Sequence, residues 1–163
     1  MSVRDMVNVL VVYYSKTGNT KAMAEEVARG ARDAGANVRL KPVEEATIDD
    51  LLWAHGIIIG SPTYFGLPAA EIKKLFDESV KYFGKLEGKV GGAFTSSANI
   101  GGGNETTIMG IIQMMLIHGM VVQGTTLSGH YGPVAVGSPE SEVEKECKEL
   151  GKRVANLVKK LKG

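Results

Sequence analysis

Apolar residues recur along this chain with two alternating periods, and the switches between them mark its elements. Val7 to Val12 is apolar except for Asn8 and runs into Tyr13, the pattern of a strand buried on both faces. From Gly18 to Ala34, Met23, Val27 and Ala31 share one helical face, and Gly35 stands where a helix end favours a left-handed residue. Asn37 to Val43 alternates apolar and charged residues (Val38, Arg39, Leu40, Lys41), as a half-exposed edge strand does. Asp49 to Trp53 allows one or two helical turns, and Ala54 to Gly60, with Ile57-Ile58-Ile59, reads as a second fully buried strand.

Ser61 to Pro68 is expected to be a loop bracketed by Pro62 and Pro68. A helix from Ala69 to about Tyr82 follows, with Ile72, Leu75, Phe76 and Val80 as its inner stripe. Lys89 to Thr95 is a fourth strand, Ser96 to Gly103 a glycine-rich loop, and Glu105 to His118 a very apolar helix ended by Gly119. Val121-Val122 opens a last strand that resumes at Val134 to Val136, beyond a turn-rich loop from Ser128 to Pro133. The final helix, Glu140 to Leu161, aligns Val143, Cys147, Leu150, Val154, Leu157 and Leu161. Strands alternating with helices argue an α/β fold, a doubly wound parallel five-stranded sheet between two helical layers, with strand order 2-1-3-4-5. Residues 1–163 read as one domain without repeats or linkers.

Composition narrows the function classes. A 44% hydrophobic and 23% charged chain is ordinary for a globular protein, and a net charge of +1 gives no electrostatic reason to expect nucleic acid or an anionic membrane. No apolar stretch approaches the ~20 residues of a membrane helix. Arg4 and Asp5 ahead of a short apolar run do not form a signal peptide. One cysteine suits a reducing compartment, so a cytoplasmic protein is expected.

The chemistry concentrates in Tyr13-Tyr14-Ser15-Lys16-Thr17-Gly18-Asn19-Thr20-Lys21. Between a buried strand and a helix N-terminus, such a turn aims free backbone N–H groups at one point, where the helix dipole also favours an anion. Ser15, Thr17 and Thr20 add hydroxyls, and no Asp or Glu intrudes. Neither the Gly-x-x-x-x-Gly-Lys-Ser/Thr loop of nucleotide triphosphatases nor a Gly-x-Gly-x-x-Gly fingerprint is present. Three further loops leave the sheet at the edge where doubly wound folds bind ligands. They are Ser61-Pro62-Thr63-Tyr64-Phe65-Gly66, Ser96-Ser97-Ala98-Asn99-Ile100-Gly101-Gly102-Gly103 and Ser128-Gly129-His130-Tyr131-Gly132-Pro133.

The Ser-x-Thr-Gly-x-Thr turn resembles the phosphate loop of flavodoxins and their relatives, which bind the monophosphate of FMN. The loop at 61–66 resembles the Pro-Thr-x-Phe-Gly flavin loop of WrbA-type NAD(P)H:quinone oxidoreductases. Phe94 to Thr106 and His118-Gly119-Met120-Val121 resemble that family's next flavin loop and its His-Gly-Met-Val. The resemblance covers nearly the whole chain and implies a flavodoxin-like fold. It implies FMN held by Ser15, Lys16, Thr17, Gly18, Asn19 and Thr20, by Pro62, Thr63, Tyr64, Phe65 and Gly66, and by Ser96, Ser97, Ala98, Asn99 and Gly102. Tyr64 and Phe65 supply an aromatic wall, while Ser96, Ser97 and Asn99 offer hydrogen bonds to ring carbonyls or ribityl hydroxyls. His118 is implied beside the flavin, as a catalytic residue; His130 and Tyr131 lie in a loop expected on the same side.

Two departures separate the chain from the quinone reductases. Thr17 stands where they carry an aromatic residue, and the segment around Glu78 to Gly84, where their stacking tryptophan falls, is shortened; the third loop is shorter too. Three readings follow: an electron carrier between proteins, an NAD(P)H-dependent quinone reductase, or a flavin-holding module without turnover. The partners are accordingly a redox protein, or NAD(P)H with a quinone-like acceptor, and a homo-oligomer is compatible with the sequence. Thr17 and the missing tryptophan favour the carrier, and His118 and the near-neutral charge favour the enzyme. Elsewhere, His55 reads as a surface residue, Cys147 as a packed thiol and Met109 to Met120 as a core-facing run. Glu142 to Lys148 reads as a solvated face with Glu144 paired to Lys148.

Overall fold

A computed structural model describes residues 6–163. Arg4 and Asp5 lie outside them. The strands are β1 (Asn8–Tyr13), β2 (Asn37–Pro42), β3 (Gly56–Tyr64), β4 (Leu67–Pro68), β5 (Val90–Ser97), β6 (Val121–Val122) and β7 (Val134–Val136). The helices are α1 (Asn19–Asp33), α2 (Ile48–Trp53), α3 (Ala70–Glu78), α4 (Asn104–Ile117) and α5 (Ser141–Lys162). The sheet runs β2-β1-β3-β5-β6, all parallel, with β7 also pairing β5 and the two-residue β4 folding back on β3. Without β4, and with β6 and β7 as two pieces of one strand, this is the expected 2-1-3-4-5 order.

Alternation along the central strands makes two cores. Val9, Val11, Tyr13 and Ile58 face α1 and α5 on one side of the sheet. Leu10, Val12, Ile57 and Ile59 face the layer of α2, α3 and α4 on the other. On the first side the helices nearly touch: a Cβ on Gly151 would lie 2.1 Å from the Val27 carbonyl oxygen, so only glycine permits that approach. Cys147 is packed here as expected, and burial pushes its thiol up, away from the reactive thiolate.

Several expectations are corrected. The loop forecast at 61–68 is the end of β3 and a tight hairpin. Pro62 is tolerated because its missing N–H faces the side on which β1 has already ended at Tyr13. The third helix stops at Glu78 and tightens into a 3₁₀ turn over Ser79–Tyr82. That turn takes Val80 off the inner stripe and leaves it exposed. The run from Met109 to Met120 is not simply core-facing. Ile108, Ile111, Ile112 and Met115 are buried, but Met109, Leu116 and Ile117 are exposed. His55 is half-buried and accepts the Asn8 N–H at Nδ1 (2.9 Å). Lys148 pairs across helices with Glu26 (3.5 Å) rather than with Glu144.

The edge strand β2 turns its charges to use. Buried Asp50 takes Arg39 at 3.0 Å and Lys41 at 2.9 Å, closes a capping box with Thr47 at the start of α2, and leaves Arg39 stacked 4.0 Å above Trp53. Among the described residues no helix is long and apolar enough to cross a membrane.

Candidate functional site

β1, β3 and β5 end side by side at Tyr13, Tyr64 and Ser97, so the turns that follow share one edge of the sheet. The first turn is held from inside. Ser15 Oγ accepts the N–H of Gly18 (3.1 Å) and of Lys21 (3.3 Å), which leaves its own proton free to donate outward. Gly18 caps α1 at φ 102°, a left-handed conformation glycine adopts without a Cβ penalty. No side chain caps α1 and no acidic residue stands in its first turn. Among the described residues no acceptor meets the backbone N–H of Lys16, Thr17, Asn19 or Thr20. A nest of unpaired donors at a helix N-terminus is a site for an anion.

Thr20 is buried and its hydroxyl lies 2.8 Å from Ser96 Oγ, so the helix start is fastened to the end of β5. Hydroxyls bind the strand ends together as well. Thr95 Oγ1 donates to the Ser61 carbonyl (2.6 Å) and therefore accepts from Thr63 Oγ1 (2.8 Å). Ser97 Oγ donates to the Asn99 carbonyl (3.0 Å) and accepts from Asn104 Nδ2 (3.3 Å), shaping the turn that carries Ala98, Asn99 and Gly102 into the solvent.

The hairpin between β3 and β4 forms the facing wall. Phe65 at its tip is fully exposed and sits at φ 52°, followed by Gly66 at φ 77°. Two successive left-handed residues make the tight turn that matches strand twist, but an aromatic side chain there is strained, and such strain clusters at functional sites. Tyr14 and Tyr64 meet edge to face, 6.5 Å between ring centroids. Burial and then Glu71 push the Tyr14 phenol above its ordinary value. The hairpin is locked to the opposite loop, since a Cβ on Gly103 would come within 2.4 Å of Gly66 Cα. The Thr106 hydroxyl lies 2.7 Å from the Gly66 carbonyl oxygen. The hydroxyl-rich strand ends lie between the first turn and the hairpin.

Of the residues singled out in the sequence, Ser15 to Thr20, Pro62 to Gly66, Ser96 to Asn99 and Gly102 share this edge. His118 does not. α4 starts at the carboxyl edge and runs back along the sheet, so its C-terminal His118 emerges where β5 begins. There Gly88 N–H donates to the Gly119 carbonyl and Val121 pairs with Val90. From Val90 to Ser97 the strand rises roughly 23 Å at ~3.3 Å per residue, which separates His118 from the nest. His118 is instead buried between Phe76 and Phe83, with Nε2 2.8 Å from Ser79 Oγ, and burial holds its pKa down. His130 is bonded through Nδ1 with the Thr125 carbonyl oxygen (2.9 Å) and Tyr131 beside it is exposed, while Gly129 of the same loop shares a cavity with Ile100, Gly101 and Gly103. Thr95 and Asn104 join the site without having been singled out in the sequence, and Tyr14, named in the first turn, adds its ring. The strand-to-turn boundary was the signal for Tyr14, but nothing in the sequence showed which hydroxyls bridge neighbouring strands.

A family model for flavodoxins matches residues 11–108. The chain belongs to the flavodoxin family. It is 48% identical over 162 positions to a flavodoxin of Aquifex aeolicus, covering 94% of this chain and 88% of that protein. It is 32% identical to an NAD(P)H dehydrogenase (quinone) of Archaeoglobus fulgidus, over 96% of this chain and all of that protein. The second alignment takes 190 positions, more than the 163 residues here, so that relative carries insertions. Among solved structures, a flavodoxin, WrbA-like protein from Agrobacterium tumefaciens superposes with a TM-score of 0.79 at 32% identity, over 94% of this chain and 98% of that one. Resemblance to both flavodoxins and quinone reductases is thus borne out, as is the flavodoxin-like fold.

Proposed function

We propose that this protein binds FMN at the carboxyl edge of its sheet and carries electrons between protein partners. The observation that carries the reading is the row of unpaired N–H groups at Lys16, Thr17, Asn19 and Thr20, which fits a phosphate monoester. Ser15 adds a hydroxyl donor, and Lys16 and Lys21 add positive charge nearby. The aromatic rings of Tyr64 and Phe65 and the loop Ser97 to Gly102 would border the slot that the flat ring takes. When bound, the flavin supplies one- and two-electron redox chemistry, and the protein supplies orientation and hydrogen bonding. Exposed Phe65 stands at this edge beside exposed Ile100, and aromatic residues are enriched where proteins dock.

A quinone reductase of the type found among the relatives is the second reading, and the structure speaks against its catalytic assignment. Its expected acid or base, His118, is held at the other edge with Nε2 on Ser79 Oγ, where it is not placed to position or protonate an acceptor at the carboxyl edge. A cytoplasmic location fits the single buried cysteine.

The test is apoprotein titration with FMN, followed by anaerobic assay with NADH or NADPH and a simple quinone. A carrier binds FMN and turns over below about 1 s⁻¹, the lower end of the enzyme range. Turnover above about 10 s⁻¹ would replace the carrier with the reductase, and failure to bind FMN would remove both.

A further inference from the structure

Between Leu75 and Leu86, both buried, the chain leaves α3 and approaches β5 with little to hold it down. Among residues 76–85 only Ser79 is buried, while Phe76 and Tyr82 are half-buried. Val80 and Phe83 are 68% and 64% exposed, and Gly84 turns at φ 90° with open space around it. Segments with so few buried contacts open at the lowest cost. The one buried side chain of this segment is closed on His118, a buried titratable group for which the FMN site has no use.

Hydrogen bonding fixes which ring nitrogen carries the proton. Ser79 Oγ lies 2.6 Å from the Phe76 carbonyl oxygen, which can only accept, so the hydroxyl proton is committed there. The same Oγ, 2.8 Å from His118 Nε2, must therefore accept, and Nε2 carries the ring proton. Nδ1 is left as a bare acceptor, closed off from solvent and with no partner among the described residues. A second proton can go only to Nδ1, where it makes a buried cationic N–H without an acceptor.

The surrounding charges do not relieve this. Lys73 and Asp77 of α3 border the same hollow as His118 but close on each other at 2.6 Å. Lys81 of the 3₁₀ turn and Lys85 after it are exposed, Glu87 packs along Gly119, and Lys89 is turned to the Leu52 carbonyl (3.0 Å). α4 carries no charge beyond Glu105 at its other end, and β6 carries none. A helix C-terminus favours a cation, but here the Met115 carbonyl already accepts from the N–H of His118 and Met120, and the Leu116 carbonyl from Gly119. Burial dominates and holds the His118 pKa below its ordinary value.

We propose that His118 and Ser79 form a pH-sensitive latch: a proton taken up at Nδ1 requires solvent, and segment 79–84 opens from the end of α4 to admit it. The closed ring binds a proton more weakly than an open, solvated one with its pKa near ~6.5. The latch is therefore fully closed above that pH and loosens as pH falls below it. With one proton taken up per opening, the open fraction rises by up to about tenfold per pH unit. The latch lies at the edge opposite the nest, so the inference does not rest on the carrier reading.

Hydrogen exchange on the FMN-saturated protein between about pH 5 and pH 7.5 tests it. The amides to follow are those of Ser79, Phe83 and Gly119, with the buried part of α5 as the internal reference for the pH dependence of exchange itself. Protection relative to α5 should fall by about tenfold per pH unit below about pH 6.5. In His118→Gln, whose side-chain amide can donate to Ser79 Oγ but does not titrate, the same ratio should be independent of pH. A ratio that is flat in the parent overturns the latch, and so does an equal fall in His118→Gln. A fall shared by α5 is loosening of the whole fold and overturns it as well. Should the variant fail to fold, the imidazole NMR signals of the parent decide. A ring protonated at Nε2 that titrates below ~6.5 supports the latch, and one that titrates at or above that value refutes it.

Discussion

Ser15→Ala separates binding of a phosphate from binding of a ring. Ser15 Oγ already accepts two N–H groups, so its single O–H proton has no internal acceptor and points its donor capacity at the anion. Removing it deletes one hydrogen bond to a charged group, worth about 1.5–3 kcal/mol. An opposing effect exists, because the N–H groups of Gly18 and Lys21 are released and could turn to the phosphate. They are poorly placed to do so. Gly18 is fixed at φ 102° as the cap of α1, and Lys21 lies in the first helical turn. The loss therefore dominates, and at ~1.4 kcal/mol per tenfold the FMN dissociation constant should rise about 10- to 100-fold. The assay is fluorescence titration of apoprotein with FMN and, in parallel, with riboflavin, which has the ring and ribityl chain but no phosphate. Riboflavin affinity should change less than about threefold. The turn is partly exposed, so chemical unfolding of the apoprotein should shift by under ~1 kcal/mol. Equal loss for FMN and riboflavin, or no loss for either, would refute the phosphate assignment.

Phe65→Gly should move stability and binding in opposite directions. Relief of the left-handed backbone, about 1–2 kcal/mol, exceeds the ~0.5–1 kcal/mol entropy cost of glycine, so urea unfolding of the apoprotein should show a small gain. FMN affinity should fall about 3- to 10-fold with the lost aromatic contact; a variant that binds FMN as the parent does would free Phe65 of any role in the slot. Asp50→Asn should destabilise by about 2 kcal/mol. This is less than the ~3–5 of a fully buried pair because Arg39 and Lys41 keep 42% and 32% of their side chains exposed. Burial raises the Asp50 pKa, but hydrogen bonds from Lys41 and Thr47 and the Lys41 charge outweigh it and hold the carboxyl below its ordinary value. A lowered folded pKa means the stabilisation is complete above the unfolded value near ~3.9 and is lost as pH falls through the folded one. The parent's advantage over the Asp50→Asn variant in unfolding free energy should therefore be flat from neutrality to about pH 5 and shrink below about pH 4. An advantage independent of pH would mean that packing, and not charge, is what the substitution removes.

Local chemistry and long-range geometry were legible in the sequence to different degrees, and His118 shows why. The Ser15 to Thr20 nest needs only a strand, a turn and a helix start in succession, so its geometry could be read from a few residues. The same holds for the doubly wound order, because each βα unit repeats one local rule of apolar periodicity. His118 required knowing where a helix ends after it has crossed the sheet. A 14-residue helix spans ~21 Å, about the length of β5, so a residue at its C-terminus necessarily lies at the edge opposite its start. Placing it beside the flavin followed from the resemblance of His118-Gly119-Met120-Val121 to a family motif whose histidine lies by the flavin. Val80 failed for a related reason: a helical stripe predicts burial only while the helix keeps its 3.6-residue period, and the 3₁₀ turn breaks that period at Ser79. The apolar face of α4 lay between these cases. Its residues were visible, but a run apolar on every side does not say which side meets the chain's own core. The sheet takes Ile108, Ile111 and Met115, and Met109, Leu116 and Ile117 are what the fold leaves outside.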